Sequence, residues 1–146
     1  MSPEQVLAEA GAVYLDSSAL VKLAIAEPPG DREMRVLYMS TVPLYTSSVG
    51  FGEMIGCLGR KPKQNDIGGP EGFLFGVRMI LMDFQVGKLR TAEPPESRFE
   101  FARMTQDSIA IQASLGGGDL WHSMAARELA RTCSSTVFRF LSQKCN

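Results

Sequence analysis

Little in this chain advertises its chemistry. It has one histidine and one tryptophan, and its three cysteines (Cys57, Cys133, Cys145) form no CxxC pair and no Cys/His cluster of the kind that holds zinc. Neither sign of charge dominates. Fifteen Lys and Arg stand against 16 Asp and Glu, a net charge of −1, so no strongly basic surface points to nucleic acid, although a local basic patch can act against a neutral background. Long hydrophobic runs are missing too: "GFLFGVRMILMDFQVG" is broken by Arg78 and Asp83 and is too short to span a bilayer. The opening "MSPEQVLAEAG" has neither a positive n-region nor a continuous apolar core. No membrane segment and no secretory leader are expected, and the cysteine usage favours a reducing, cytoplasmic setting. Asp-x-Asp, Gly-x-Ser-x-Gly and P-loop patterns are absent, which ranks a general α/β hydrolase or phosphatase low.

What is present is an ordinary globular composition, 45% apolar and 21% charged over 146 residues. That length suits a single domain over residues 1–146 that buries roughly two-thirds of its unfolded surface. "AVYL" (12–15), "PLYTS" (43–47) and "STVFRF" (135–140) read as strands. Helical stretches follow 16, run through "DREMRVLYMS" and "SVGFGEMIGCLGRK", and occupy about 71–86, 95–114 and "DLWHSMAARELA". "PKQNDIGGP" and the "GGG" at 116–118 break the chain. Strands separated by helices of this length imply βαβ crossovers and a mainly parallel sheet, in which ligands bind outside the carboxyl ends of the strands.

Asp16 stands at such an end. Glu53 lies on the helix after the second strand, opposite an apolar stripe of Phe51, Met54, Ile55 and Leu58. Gly50, Gly52, Gly56 and Gly59 crowd that helix, each costing on the order of 1 kcal/mol against Ala, which suggests a close backbone approach on the Glu53 side. Asp119 opens a later helix and shares a face with Ser123, Ala126 and Ala130, with Leu120, Trp121 and Met124 on another. An N-cap is the alternative reading for Asp16 and Asp119, and a solvated helix position for Glu53. Taken together, three acids gathered at one end of a sheet repel one another unless a cation reconciles them. A hard divalent ion, Mg²⁺ or Mn²⁺, would do so and would suit phosphoryl chemistry.

"VYLDSSALVKL", "LYTSSVGFGEMIGCLGRK" and "GGGDLWHSMAARELA", in this order and separation, resemble the PIN-domain family, especially its VapC-like toxin ribonucleases, over about residues 12–140. The resemblance implies a three-layer α/β/α sandwich with a central parallel sheet and an acidic pocket for Mg²⁺ or Mn²⁺. It further implies an RNA substrate cut to leave a 3′-hydroxyl and a 5′-phosphate, a homodimer, and a protein antitoxin as partner. On the matching positions Asp16, Glu53 and Asp119 are the metal-site acids, and Ser18 is the hydroxyl that orients the first acid or a water. The family also has an Asp just after the last core strand. Here no acid follows Glu128, and Leu141 or Ser142 stands near that place. A non-catalytic PIN-like module that binds protein or RNA is therefore the competing expectation.

Five further features stand out. His122 is a conceivable general acid or a structural hydrogen-bonding residue. Arg60, Lys61 and Lys63 form the one basic cluster, suited to RNA phosphates or simply to a helix C-terminus. Lys22 reads as solvated or at a pocket rim, and Trp121 as packing. The apolar stretch at 71–86 reads as part core and part dimer or antitoxin surface.

Overall fold

Asp16 decides where the first strand stops. Ala12–Leu15 form strand β1, buried throughout. Asp16 then turns the chain into helix α1 (Ser17–Ile25) by capping it. Its Oδ1 accepts from Ala19 N at 3.1 Å and its carbonyl from Leu20 N at 3.0 Å. The structure, a computed structural model, describes residues 11–25, 31–60, 70–111, 117–133 and 137–140. After α1 come α2 (Asp31–Met39), β2 (Leu44–Thr46), α3 (Ser48–Arg60), α4 (Pro70–Gln85), β3 (Leu89–Thr91), α5 (Arg98–Ile111), α6 (Gly117–Cys133) and β4 (Val137–Phe140).

The four strands make one parallel sheet in the order β3-β2-β1-β4. Val13 of β1 stands opposite Leu44 on one side and Phe138 on the other, and Thr46 of β2 stands opposite Thr91 of β3. From β1 the chain steps outward to β2 and β3, then returns to lay β4 on the far side of β1. The reversal falls between β1 and β4, and that is where an open α/β sheet leaves a crevice at its carboxyl edge. Asp16 is the first residue past β1 at this edge.

Alternation along β1 builds two cores. Val13 and Leu15 join Leu20, Met34, Leu37, Leu44, Met54, Leu58 and Ile80 under α1–α4. Ala12 and Tyr14 face the other way, with Ala92 and with Ala125 and Leu129 of α6. Helices therefore cover both faces, giving an α/β/α sandwich with its parallel sheet in the middle, as expected. Among the described residues no helix is long and apolar enough to cross a membrane. Cys57, buried on α3 one turn after Glu53, is disulfide-bonded, which the odd cysteine count did not anticipate.

α4 ends as the sequence suggests, with Gly87 at φ 75° and its N–H on the Phe84 carbonyl at 3.2 Å. Its inner face is tied to α2, where the Tyr38 hydroxyl donates to Asp83 Oδ1 at 2.6 Å. That bond, then burial, then the negative charge of Asp83 push the phenol up to about 12 from 10.0. A raised folded-state value stabilises the fold fully below the unfolded value, and the contribution drains away as pH rises from about 10 to about 12. Melting temperatures measured across that range should fall more steeply for the wild type than for Tyr38→Phe. At neutral pH the variant should be less stable by about 1–3 kcal/mol, because Asp83 stays buried without its donor.

Candidate active site

The carboxyl edge of the sheet is held together by short polar side chains. Thr46, buried at the end of β2, donates its hydroxyl to the carbonyl of Leu15 at 2.8 Å, one residue before Asp16. Ser47 caps α3: its Oγ accepts from Gly50 N at 3.1 Å and its carbonyl from Phe51 N at 3.0 Å. From beyond β3, Glu93 reaches the same helix start, accepting from Ser48 N at 2.6 Å and from the Ser48 hydroxyl at 3.1 Å. A carboxylate there also suits the positive end of the helix dipole.

Gly50 lets this edge close. A Cβ on it would stand 2.5 Å from Thr46 Oγ1 and 3.1 Å from His122 Cε1. Of the glycines crowding α3, this one meets the expectation of close approach. Gly52 has open space around it, and Gly56 and Gly59 would make only ordinary contacts.

Across the contact lies α6. His122 is 2% exposed, and both ring nitrogens are engaged: Nδ1 stands 2.7 Å from the Tyr14 hydroxyl and Nε2 stands 3.0 Å from Glu53 Oε2. The Tyr14 hydroxyl in turn lies 2.9 Å from Ser47 Oγ. Glu53 itself is two-fifths exposed, its side chain at 40%. Asp119 falls in the first turn of α6, one turn before His122, and its side chain lies outside the described residues. Asp16 follows β1 directly and Glu53 lies on the helix that leaves β2, so both stand at the carboxyl edge, and α6 reaches it through His122. Asp16 is 6% exposed and serves as the α1 cap, so the capping reading holds for it without removing its position at the edge. Ser18 is half-buried in the first turn of α1.

Among the described residues no group of three or more His, Cys, Asp and Glu side chains is set to hold a metal ion. Were a cation held at this edge, the donors facing it would be oxygens. Both nitrogens of the sole histidine are turned to Tyr14 and Glu53, which leaves carboxylate oxygens as the ligands on offer. An all-oxygen set selects Mg²⁺ or Mn²⁺ over zinc.

The other singled-out residues lie elsewhere. Arg60 is exposed at the end of α3, and Lys61 and Lys63 lie outside the described residues. Lys22 is buried rather than solvated, lining a cavity of about 230 Å³ between α1, α2 and α4 with Met34, Tyr38 and Asp83. Trp121 packs against Phe101, ring centroids 6.0 Å apart. Tyr14, Thr46, Ser47 and Glu93 were missed in the sequence. Only Ser47, a hydroxyl just ahead of a helix, carried a local signal.

A parallel sheet covered by helices on both faces, with its reversal beside an acid-bearing first strand, is a PIN-like fold. Among solved structures the chain is similar to Mycobacterium tuberculosis VapC20, a sarcin–ricin loop cleaving toxin. The TM-score is 0.58, with 13% identity, over 89% of this chain and 90% of that one. At that identity the likeness speaks for the fold. No protein-family model matches the chain, and no curated protein does.

Proposed function

We propose that this protein is a metal-dependent endoribonuclease of the PIN class, acting as the toxin of a toxin–antitoxin pair. The observation that carries the reading is Asp16 at the reversal point of the sheet, with Glu53 tied to the same edge through a buried histidine. The likeness of the whole fold to an RNA-cleaving toxin supports it. Asp16, Glu53 and Asp119 would hold Mg²⁺ or Mn²⁺, which supplies Lewis acidity to a phosphodiester and a more acidic water when bound. The chain's own contribution is to orient these acids at one edge, with Ser18 beside the first and the Arg60, Lys61 and Lys63 cluster as a seat for backbone phosphates.

The purified protein, incubated with total RNA and with a sarcin–ricin stem-loop, should cleave in Mn²⁺ or Mg²⁺, and EDTA should stop it. RNA left intact after long incubation, with no Mn²⁺-induced thermal shift, would favour the second reading, a non-catalytic binding module. The absence of any acid after Glu128 is what favours that alternative. A protein partner is supported independently. Phe75 and Met82 of α4, Val86 just past its end and Met39 of α2 are exposed, apolar surface of the kind that marks interaction sites. A small antitoxin or a second copy of the chain would cover it.

A further inference from the structure

His122 is satisfied as a core residue on one side only. Nδ1 meets the buried Tyr14 hydroxyl, whereas Nε2 points outward to a carboxylate that is two-fifths exposed. A buried Nε2–H needs an acceptor, but the one it has is a part-exposed carboxylate at the edge of the sheet rather than a core group. Glu53 also has few neighbours of its own. Gly52 beside it and Gly56 one turn on are exposed, and a Cβ at Gly52 would meet nothing within 4 Å. Without the imidazole, the three side-chain torsions of Glu53 would be free in water, and fixing them when a cation binds would cost rotamer entropy.

We infer that His122 is a positioning residue, holding the Glu53 carboxylate in one orientation at the carboxyl edge of the sheet, with Tyr14 and Ser47 holding the ring. A carboxylate only accepts, so Nε2 carries the proton between them. The Tyr14 hydroxyl has one proton for two neighbours, Ser47 Oγ at 2.9 Å and Nδ1 at 2.7 Å, and it accepts from whichever it does not serve. With a neutral ring, Nε2–H on Glu53 leaves Nδ1 to accept from the Tyr14 hydroxyl, whose oxygen then accepts from Ser47; the reverse arrangement, with Nδ1 also donating, needs a doubly protonated ring. A half-turn of the ring would put carbon where each nitrogen now sits and break both bonds. Close packing of the ring edge on the α3 backbone, where Gly50 has no Cβ, keeps the imidazole in place. The role rests on the reading of Glu53 as a metal ligand, and it deepens that reading by naming the residue that prepares the ligand.

Two measurements test it. His122 is the only histidine, so ring ¹⁵N spectra of the metal-free protein contain a single imidazole. Its Nε2 resonance should read as protonated and should move on Glu53→Gln. In calorimetric Mn²⁺ titrations, His122→Leu should weaken binding by about 10–100-fold. His122→Gln, which returns an N–H near the Nε2 position, should recover most of that loss, with the metal-free melting temperatures of the two variants alike. Tyr14→Phe, which keeps the core filled, should weaken binding by about tenfold and serves if His122→Leu does not fold. A ring resonance indifferent to Glu53→Gln overturns the inference, as does wild-type Mn²⁺ affinity in His122→Leu or in Tyr14→Phe. Failure of the wild-type protein to bind Mn²⁺ removes the metal reading instead, and the ring resonance then decides the positioning role alone.

Discussion

Asp16→Asn is expected to leave the protein folded and to lower metal-dependent RNA cleavage at least about a hundredfold, or about 2.7 kcal/mol of barrier. The two halves of this expectation have separate causes. Asn caps a helix as well as Asp does, and its Oδ1 can accept from Ala19 N as the carboxylate oxygen does now at 3.1 Å. Asp16 is 6% exposed, and a neutral amide is easier to bury than a carboxylate. What Asn lacks is the charge that a hard divalent ion requires of its ligand. Asp16→Ala is the poorer test, since it also removes the cap at a cost of about 1 kcal/mol. Circular dichroism with a gel or fluorogenic RNA assay checks both halves together. A folded Asp16→Asn protein that cuts RNA at the wild-type rate would end the assignment of this edge as the active site.

The second large effect is on stability, and it has opposite signs at two glycines of one helix. Gly50→Ala should destabilise by about 1–3 kcal/mol, the usual cost of overpacking, although Ala is the better helix former. The new methyl would stand 2.5 Å from Thr46 Oγ1. That oxygen cannot easily retreat, because it is committed to the Leu15 carbonyl at 2.8 Å. On the other flank His122 is tied at both nitrogens. Gly52→Ala meets open space on an exposed helix position and should stabilise by up to about 1 kcal/mol. For a domain near this size each kcal/mol moves the melting temperature by about 2–4 °C, so two thermal melts separate the cases. Equal melting temperatures for the two variants would mean that α3 does not press on β2 and α6 as described.

Most of the layered fold could be read from local pattern, because β1 and the helices carry their own periodicity and caps. β3 could not. Of Leu89, Arg90 and Thr91 only Leu89 is buried, so no alternation marks them, and they form a strand because β2 offers them a partner. Strand order was equally hidden, since nothing near residues 12–15 says that residues 137–140 will lie beside them. At the site, the acids stood out as charges in small-residue surroundings. The residues that orient them did not: Tyr14 meets Ser47 across 33 positions and His122 across 108. Local spacing is silent at such separations. The wheel drawn around Asp119 also hid the buried stripe of His122, Ala125 and Leu129, which follows an i, i+3, i+7 pattern of its own.

The central place of β1 has a consequence for biosynthesis. The strand emerges from the ribosome early, yet one of its two hydrogen-bonding edges waits for β4, and Glu53 waits for the histidine on α6. Pairings this distant along the chain form late. A nascent polypeptide that has not yet released residues 117–140 therefore lacks both the second partner of β1 and the histidine that meets Glu53, so the edge on which Asp16 and Glu53 stand is not yet assembled.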